Sequence, residues 1–330
     1  MSQHARISYL IVVVVMALVV YLHFGTFLLT SLSGYLALQL FSIRGRKWLS
    51  VTLYLIAVAV IGVGLVYFSN LAYRTLPRIA EISIPAMAGF AEKNGIELPF
   101  TDYASLKSAA LDTAKEGLTI VGQYAKVASL QFVLVVAGLV VPVSIFLGSG
   151  WTAKNGAPAV PDNFYSAVTR ELTTRFKTLY ASFAKMMGAQ IVIAAINAGL
   201  TAAFLIFNSY PHTGLLVTLV FLCGLIPIVG NIISNAVVVG VGFTFSSRTG
   251  VYALVFLIVI HKLEYFLNSK IVGKRINSPM WLTLIGLLVG ERLMGIPGMI
   301  LAPVFLHCIN VEASAYRSLP GGGWSHREGG

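Results

Sequence analysis

Long uncharged apolar runs alternate with short polar segments along the chain, and the run lengths predict its elements. Residues 7–43 carry no Asp, Glu, Lys or Arg, and Gly25 and Thr26 interrupt the run near its middle. A hydrocarbon core of about 30 Å takes about 20 helical residues, so this run predicts a tight hairpin of two short spans. A third uncharged run, residues 49–73, follows the basic cluster Arg44, Arg46 and Lys47. Residues 74–126 then hold six basic and six acidic side chains, with helix-forming Ala, Leu, Lys and Glu on both sides of a break at Gly95 to Pro99. That composition predicts a small two-helix extramembrane subdomain. Residues 127–153 read as a fourth span ending near Gly148-Ser149-Gly150.

After a linker containing Gly156, Pro158 and Pro161, Asp162 is placed to cap a helix. Phe164, Val168, Leu172, Phe176, Leu179, Phe183 and Met187 fall on one of its faces, with Arg170, Glu171, Lys177 and several Thr on the other. This pattern suits a helix lying in the membrane interface; the plainer alternative is a cytoplasmic helix packed on a partner.

Residues 186–247 contain no charged side chain. Allowing a span at 188–207 and a turn at 208–213, the remaining stretch is too long for one crossing and too short for two full ones with a turn. Its middle, Cys223 to Asn231, contains Pro227 and Gly230, which remove a backbone donor and permit a break. The segment therefore predicts a re-entrant helical hairpin, tolerated at membrane depth only inside protein or beside a wet cavity. The pattern recurs: a span near 251–268, a linker with Lys270, Lys274 and Arg275, and a stretch at 280–310 broken at Gly290 to Gly298 by Gly295 and Pro297. The alternative is that both broken stretches are long kinked single spans. Hairpins leave 14 of the 23 basic residues in inside loops, seven outside and two at membrane depth. Kinked spans give a weaker asymmetry, so the positive-inside rule favours hairpins and makes the two span-plus-hairpin repeats inverted, a layout typical of secondary transporters.

Composition agrees with this reading. With 57% hydrophobic and 11% charged residues and mean hydropathy +0.83, the chain departs from a soluble domain, whose charged share is about 25%. The net charge of +11 reads as topology signal rather than nucleic-acid binding. Cys223 and Cys308 sit in apolar runs, so neither a disulfide framework nor a Cys-based metal site is expected. The first apolar run is too long for a signal-peptide h-region and lacks a small-residue cleavage motif, and it reads as a mature span.

The sequence has no phosphate-binding Gly-rich Lys-Ser/Thr loop and no His-Glu-x-x-His motif. Ser149 in its Gly-Ser-Gly setting reads as a helix end. The expectation is a non-enzyme without cofactor or metal. Ionisable residues at membrane depth carry the functional reading: His261, Lys262, Glu264, Glu291 and Arg292. Charge is expensive there and defaults to function or mutual pairing. Glu264 is the candidate coupling carboxylate, with Lys262 or Arg292 as partner; Lys262 and Glu264 can also simply reach the interface. Among uncharged polar residues, Asn231 beside Gly230 is assigned to a site, and Asn197 to interhelical hydrogen bonding. Ser234 and Asn235 mark the same repeat.

At Gly224-Leu225-Ile226-Pro227-Ile228-Val229-Gly230, Lys270-Ile271-Val272-Gly273, Pro279, and Gly290, Gly295, Gly298-Met299-Ile300-Leu301 and Pro303, the chain resembles the AI-2E (autoinducer-2 exporter) family of bacterial membrane proteins, from the first span to about Glu312. Ser269 stands where the family often has Pro, and the segment Glu264 to Ser269 resembles the PerM-like subgroup. The resemblance implies export of small polar molecules such as autoinducer-2 in some members and sodium/proton antiport in others. It also implies a homo-oligomer, with a pentamer expected.

The expected protein is thus an all-α, polytopic membrane protein of about six full spans plus two re-entrant hairpins, or eight spans, with an inverted repeat in its C-terminal half. Its parts are 1–73 (hairpin and third span), 74–126 (extramembrane subdomain), 127–187 (fourth span and interfacial helix), 188–311 (transport core) and 312–330 (a tail, disordered at its Gly-rich end). It is placed in the bacterial inner membrane with both termini cytoplasmic. The expected partners are the lipid bilayer, a small polar solute, H+ or Na+, and further copies of the chain, with no nucleic acid. A non-transporting scaffold for envelope or division machinery is the alternative from another class.

Overall fold

The computed structural model describes residues 3–43, 46–95, 121–148, 163–227, 229–272 and 280–317. Asp162, the 156–161 linker, Ser149, Lys274, Arg275, the second helix expected in the 74–126 subdomain up to residue 120, and the Gly-rich end lie outside those residues. Among the described residues the chain is all-α. In order the helices are α1 (Gln3–Tyr21), α2 (Gly25–Leu40), α3 (Lys47–Lys93), α4 (Val121–Leu147), α5 (Phe164–Phe207), α6 (Thr213–Gly224), α7 (Val229–Phe245), α8 (Ser247–Val272), α9 (Met280–Met294) and α10 (Ile296–Arg317). Five described stretches are long and apolar enough to cross a membrane: α1, α3, Ser129–Leu147, α5 and Ile296–Ser314.

Two helices run on where the sequence changes character. α3 passes from its apolar half through Pro77 and Pro85 as one helix of 47 residues, about 70 Å at 1.5 Å per residue. It stops at Asn94 and Gly95, whose φ of +67° suits glycine. α5 joins the amphipathic stretch and the following span in a single helix of 44 residues without proline. Its cap is Asn163 rather than Asp162. The Asn163 side chain accepts from the Ser166 N–H at 2.9 Å and the Asn163 N–H donates back to the Ser166 hydroxyl at 3.1 Å, a reciprocal capping box. The apolar face assigned to lipid headgroups is covered by protein at its C-terminal half, where Leu179 and Phe183 are buried against Leu301 and Val304 of α10.

α5 serves as a ruler along which two hairpins enter from opposite ends. Beside its N-terminal half run α1 and α10: Arg175 lies against Tyr9 and Glu312, and the Ser182 hydroxyl meets His307 Nδ1 at 3.0 Å. Beside its C-terminal half runs the α6–α7 hairpin. The tip of that hairpin is placed by Gln190, whose side-chain amide donates to the Gly224 carbonyl, and by Ala194 packed on Gly224. Its mouth is marked by Tyr210, whose ring centroid is 5.5 Å from that of Phe245. A kinked single span from 214 to 247 puts those ends on opposite faces of the membrane, so the first broken segment is a hairpin. The α9–α10 segment folds back too: a Cβ on Gly286 lies 3.9 Å from the Ala302 Cβ. α6 has 12 residues and α9 has 15, about 18 and 22 Å, short of a 30 Å core.

The breaks sit where the residue types require. Pro227 lies in the α6–α7 turn. Gly295 joins α9 to α10 with φ +64°, and Pro297 is the second residue of α10, where its missing N–H costs nothing. Gly230 and Gly298 allow close approach rather than turning: a Cβ on Gly230 runs into the Cys223 carbonyl, and one on Gly298 into the Gly290 carbonyl. The hairpin tips meet each other, with Ile226 packed on the buried cluster Leu287, Met299 and Ala302.

Two outcomes follow from this packing. In a background with Cys223 and Cys308 replaced, the pair Gly286→Cys and Ala302→Cys is expected to form a disulfide on mild oxidation, because its Cβ separation is within the usual range. A single kinked span keeps the pair about 24 Å apart, and a gel-shift assay distinguishes the two. Gly230→Ala and Gly298→Ala are each expected to cost about 1–3 kcal/mol through overpacking, read as a lowered Tm in detergent. Gly64→Ala, with nothing near its added methyl, leaves Tm unchanged or raised.

Candidate functional site

The α5–α8 pair is antiparallel, and its register is set by aromatic packing. Phe256 stacks on Phe204 with centroids 4.2 Å apart and planes at 11°, beside the buried contact of Leu257 with Leu205. Two turns further along each helix, the same register places Glu264 opposite Asn197. That is the middle of the uncharged 188–207 stretch.

At that level the hairpin turn delivers a third side chain. Asn231, in the first turn of α7, donates its side-chain amide to both carboxylate oxygens of Glu264, each at 2.8 Å. Asn197 donates to Glu264 Oε2 at 3.2 Å. A carboxylate only accepts, so the amide nitrogens face it. The N-terminal end of α7 adds a partial positive charge on the same side. Asn197 is 5% exposed, and its Oδ1 has no hydrogen-bond partner. The cluster thus gathers three oxygens, the two of Glu264 and the unsatisfied Oδ1 of Asn197, the donor type that a hard cation takes. Ser234, almost fully buried on the next turn, donates to the Asn231 carbonyl at 3.3 Å and steadies that end of α7.

The other sequence-selected residues lie apart from this cluster. His261 and Lys262 are exposed on α8, and Glu291 and Arg292 are exposed on α9 one turn before the tip. Glu264 therefore pairs with neither Lys262 nor Arg292, contrary to expectation: Lys262 is two residues away, about 200° around the helix. Arg292 lies on a face of α9 turned away from Leu287 and Gly290, which pack on α10. Among the described residues no basic side chain pairs with Glu264. Asn197 is also reassigned: it does bridge helices, but its partner is the membrane-depth carboxylate. The signal available in the sequence was a single amide in the middle of an apolar span, ten residues before that span's end. Among the described residues no cluster of His, Cys, Asp and Glu could hold a metal ion.

Ile226 on the α6–α7 turn and Leu287, Met299 and Ala302 on α9–α10 form an apolar contact between the Glu264 cluster and the opposite half of the molecule.

Two Bacillus subtilis (strain 168) proteins, both named provisionally as transport proteins, are similar: YdbI is 33% identical over 135 residues, 39% of this chain and 38% of YdbI, and YueF is 32% identical over 135 residues, 39% of this chain and 36% of YueF. These alignments thus span little more than a third of either relative. The family model for AI-2E family transporters matches residues 5–318, nearly the whole chain, and the protein accordingly belongs to the AI-2E transporter family.

Proposed function

We propose that the protein is an ion-coupled secondary transporter of the bacterial inner membrane, exporting a small polar solute of the autoinducer-2 kind, with Glu264 as its coupling carboxylate. One observation carries the reading: a carboxylate between α5, α7 and α8 is held by two neutral amides and, among the described residues, by no counter-charge. A fixed salt bridge locks such a group in one state, whereas neutral donors leave it able to take up and release a cation.

The geometry suggests how binding acts on the hairpin. While Glu264 is ionised, both its oxygens accept from Asn231 and tie the tip of α7 to α8. When a proton arrives, the new O–H can donate to the unpartnered Oδ1 of Asn197, and the remaining oxygen holds Asn231 more weakly, since hydrogen bonds to charged groups are the stronger ones. Protonation thus loosens the first hairpin from α8, and the apolar contact with the second hairpin can open. Ligand binding shifts the conformational balance only through such differential contacts. The solute passes between the tips, shaped by Pro227, Gly230 and Asn231 on one side and by Glu291, Gly295, Pro297 and Gly298 on the other. The Asn197 oxygen with the two carboxylate oxygens also favours a second reading, sodium/proton antiport at the same site.

Orientation follows the basic residues, with both termini cytoplasmic. His261, Lys262 and Arg292, exposed on a single chain, are accommodated in a homo-oligomer, taken as a pentamer, where they face neighbouring copies or a wet axis.

In proteoliposomes, solute or Na+-driven proton flux is expected to fall at least about tenfold in Glu264→Gln, matching loss of about 1.5–3 kcal/mol of charged hydrogen bonding, and to lose its pH or sodium dependence. An unchanged dependence retires Glu264 from the coupling role. Asn231→Ala is expected to be non-additive with Glu264→Gln, the double variant being no worse than the single carboxylate variant. Full additivity sinks the shared site.

A further inference from the structure

On the far side of the hairpin tips from Glu264, a cleft of about 840 Å³ lies between α1, α5, α9 and α10. Val12, Met16 and Val19 form one wall, with Leu293, Phe305 and Ile309 opposite, so its length is hydrocarbon. It runs from Tyr9 to Val20 along α1, about 16 Å at 1.5 Å per residue. That is close to half of a 30 Å hydrocarbon core, the depth of one leaflet.

One end of the cleft is charged. Arg175, with only 9% of its side chain exposed, stacks its guanidinium on the Tyr9 ring at 3.8 Å from the centroid. It pairs with Glu171 at 3.3 Å and, more loosely, with Glu312 at 3.9 Å, and Glu312 also accepts from the Tyr9 hydroxyl at 2.8 Å. Two carboxylates surround one guanidinium, while the buried Nε of Arg175 has no hydrogen-bond partner. The end of the cleft thus combines a cation with an unused donor and an excess of negative charge.

We infer that this cleft is a binding site for a bilayer phospholipid with a phosphoethanolamine headgroup, one acyl chain lying between α1 and the α9–α10 hairpin. The headgroup matches the cluster charge for charge. Its phosphate oxygens accept from Arg175, and its primary ammonium donates to Glu312, which a choline headgroup without N–H cannot do. A purely anionic headgroup satisfies Arg175 but sets its negative charge against both glutamates. The acyl chain fills an apolar cleft that the helices leave open, and it holds α1 against the second hairpin. The inference concerns a site separate from Glu264 and does not rest on the transport reading.

The test uses the full-length chain in nanodiscs of mixed phosphatidylethanolamine and phosphatidylglycerol, released into detergent for native mass spectrometry. About one phosphatidylethanolamine per chain is expected to be retained, with at least a tenfold drop in Met16→Trp, which fills the cleft, and in Arg175→Gln. Glu312→Gln is expected to keep a lipid but to lose the preference, taking phosphatidylglycerol at least as well. As a check that needs no variant, a phosphatidylethanolamine with a diazirine in its acyl chain is expected to label α1 and α9–α10 peptides around Met16 and Leu293. Equal retention in wild type and both cleft variants overturns the proposal, as does labelling spread evenly over the lipid-facing helices. A photo-crosslinker placed at Met16 that captures another segment of the chain, or a second copy, instead of lipid overturns it as well.

Discussion

The contact between the two hairpin tips is the constraint on which the C-terminal half depends. Hydrocarbon offers no hydrogen-bond partners, so a helix can break at membrane depth only where protein or water meets the exposed backbone groups. Each hairpin supplies that shelter for the other. Ile226 covers the second tip, and Leu287, Met299 and Ala302 cover the first, while glycines at 230, 290 and 298 let the backbones close up within each hairpin. Two breaks that are unfavourable singly become compatible as a pair, and the inverted layout along α5 follows because only entry from opposite ends brings two tips together.

The Glu264 cluster inherits its geometry from the same arrangement. α5 and α8 are locked by Phe204 on Phe256, so Asn197 and Glu264 have little freedom. Asn231 sits at the start of α7, in its first turn after the hairpin tip, and reaches the carboxylate from there. One hydrogen-bonded triad therefore joins the start of α7 to both α5 and α8.

Much of this was legible in the chain. Uncharged runs bounded by basic residues marked the spans, and Pro227, Gly230, Gly295 and Pro297 marked the two broken segments, because broken helices need those residue types at their turns. The continuity of α3 and α5 was hidden for a physical reason: a change from apolar to charged composition alters what a helix faces without ending it, and only Gly95 carries a true stop signal. Pairing was hidden as well. Helical spacing tells which faces Glu264 and Lys262 occupy, but the partner of a membrane-depth carboxylate depends on the register of a neighbouring helix. Here that register is set by aromatic rings two turns away. Asn197, an ordinary bridging amide in the sequence, gains its meaning only from that register.

α3 adds a mechanical dimension. Near its start, the Tyr54 hydroxyl donates to the Leu139 carbonyl at 3.0 Å and Lys47 donates to the Gly148 carbonyl at 2.9 Å. Toward its far end, Ser83 and Met87 lie on Gly240, and Phe90 meets Phe243 with centroids 4.9 Å apart. The helix is thus clamped at one end to the α2–α4 block and at the other to the outer leg of the first hairpin. On a rod of about 70 Å, a tilt of a tenth of a radian moves the far end by about 7 Å. α3 thus ties the position of the first hairpin to that of the α2–α4 block, so that neither can shift far without the other.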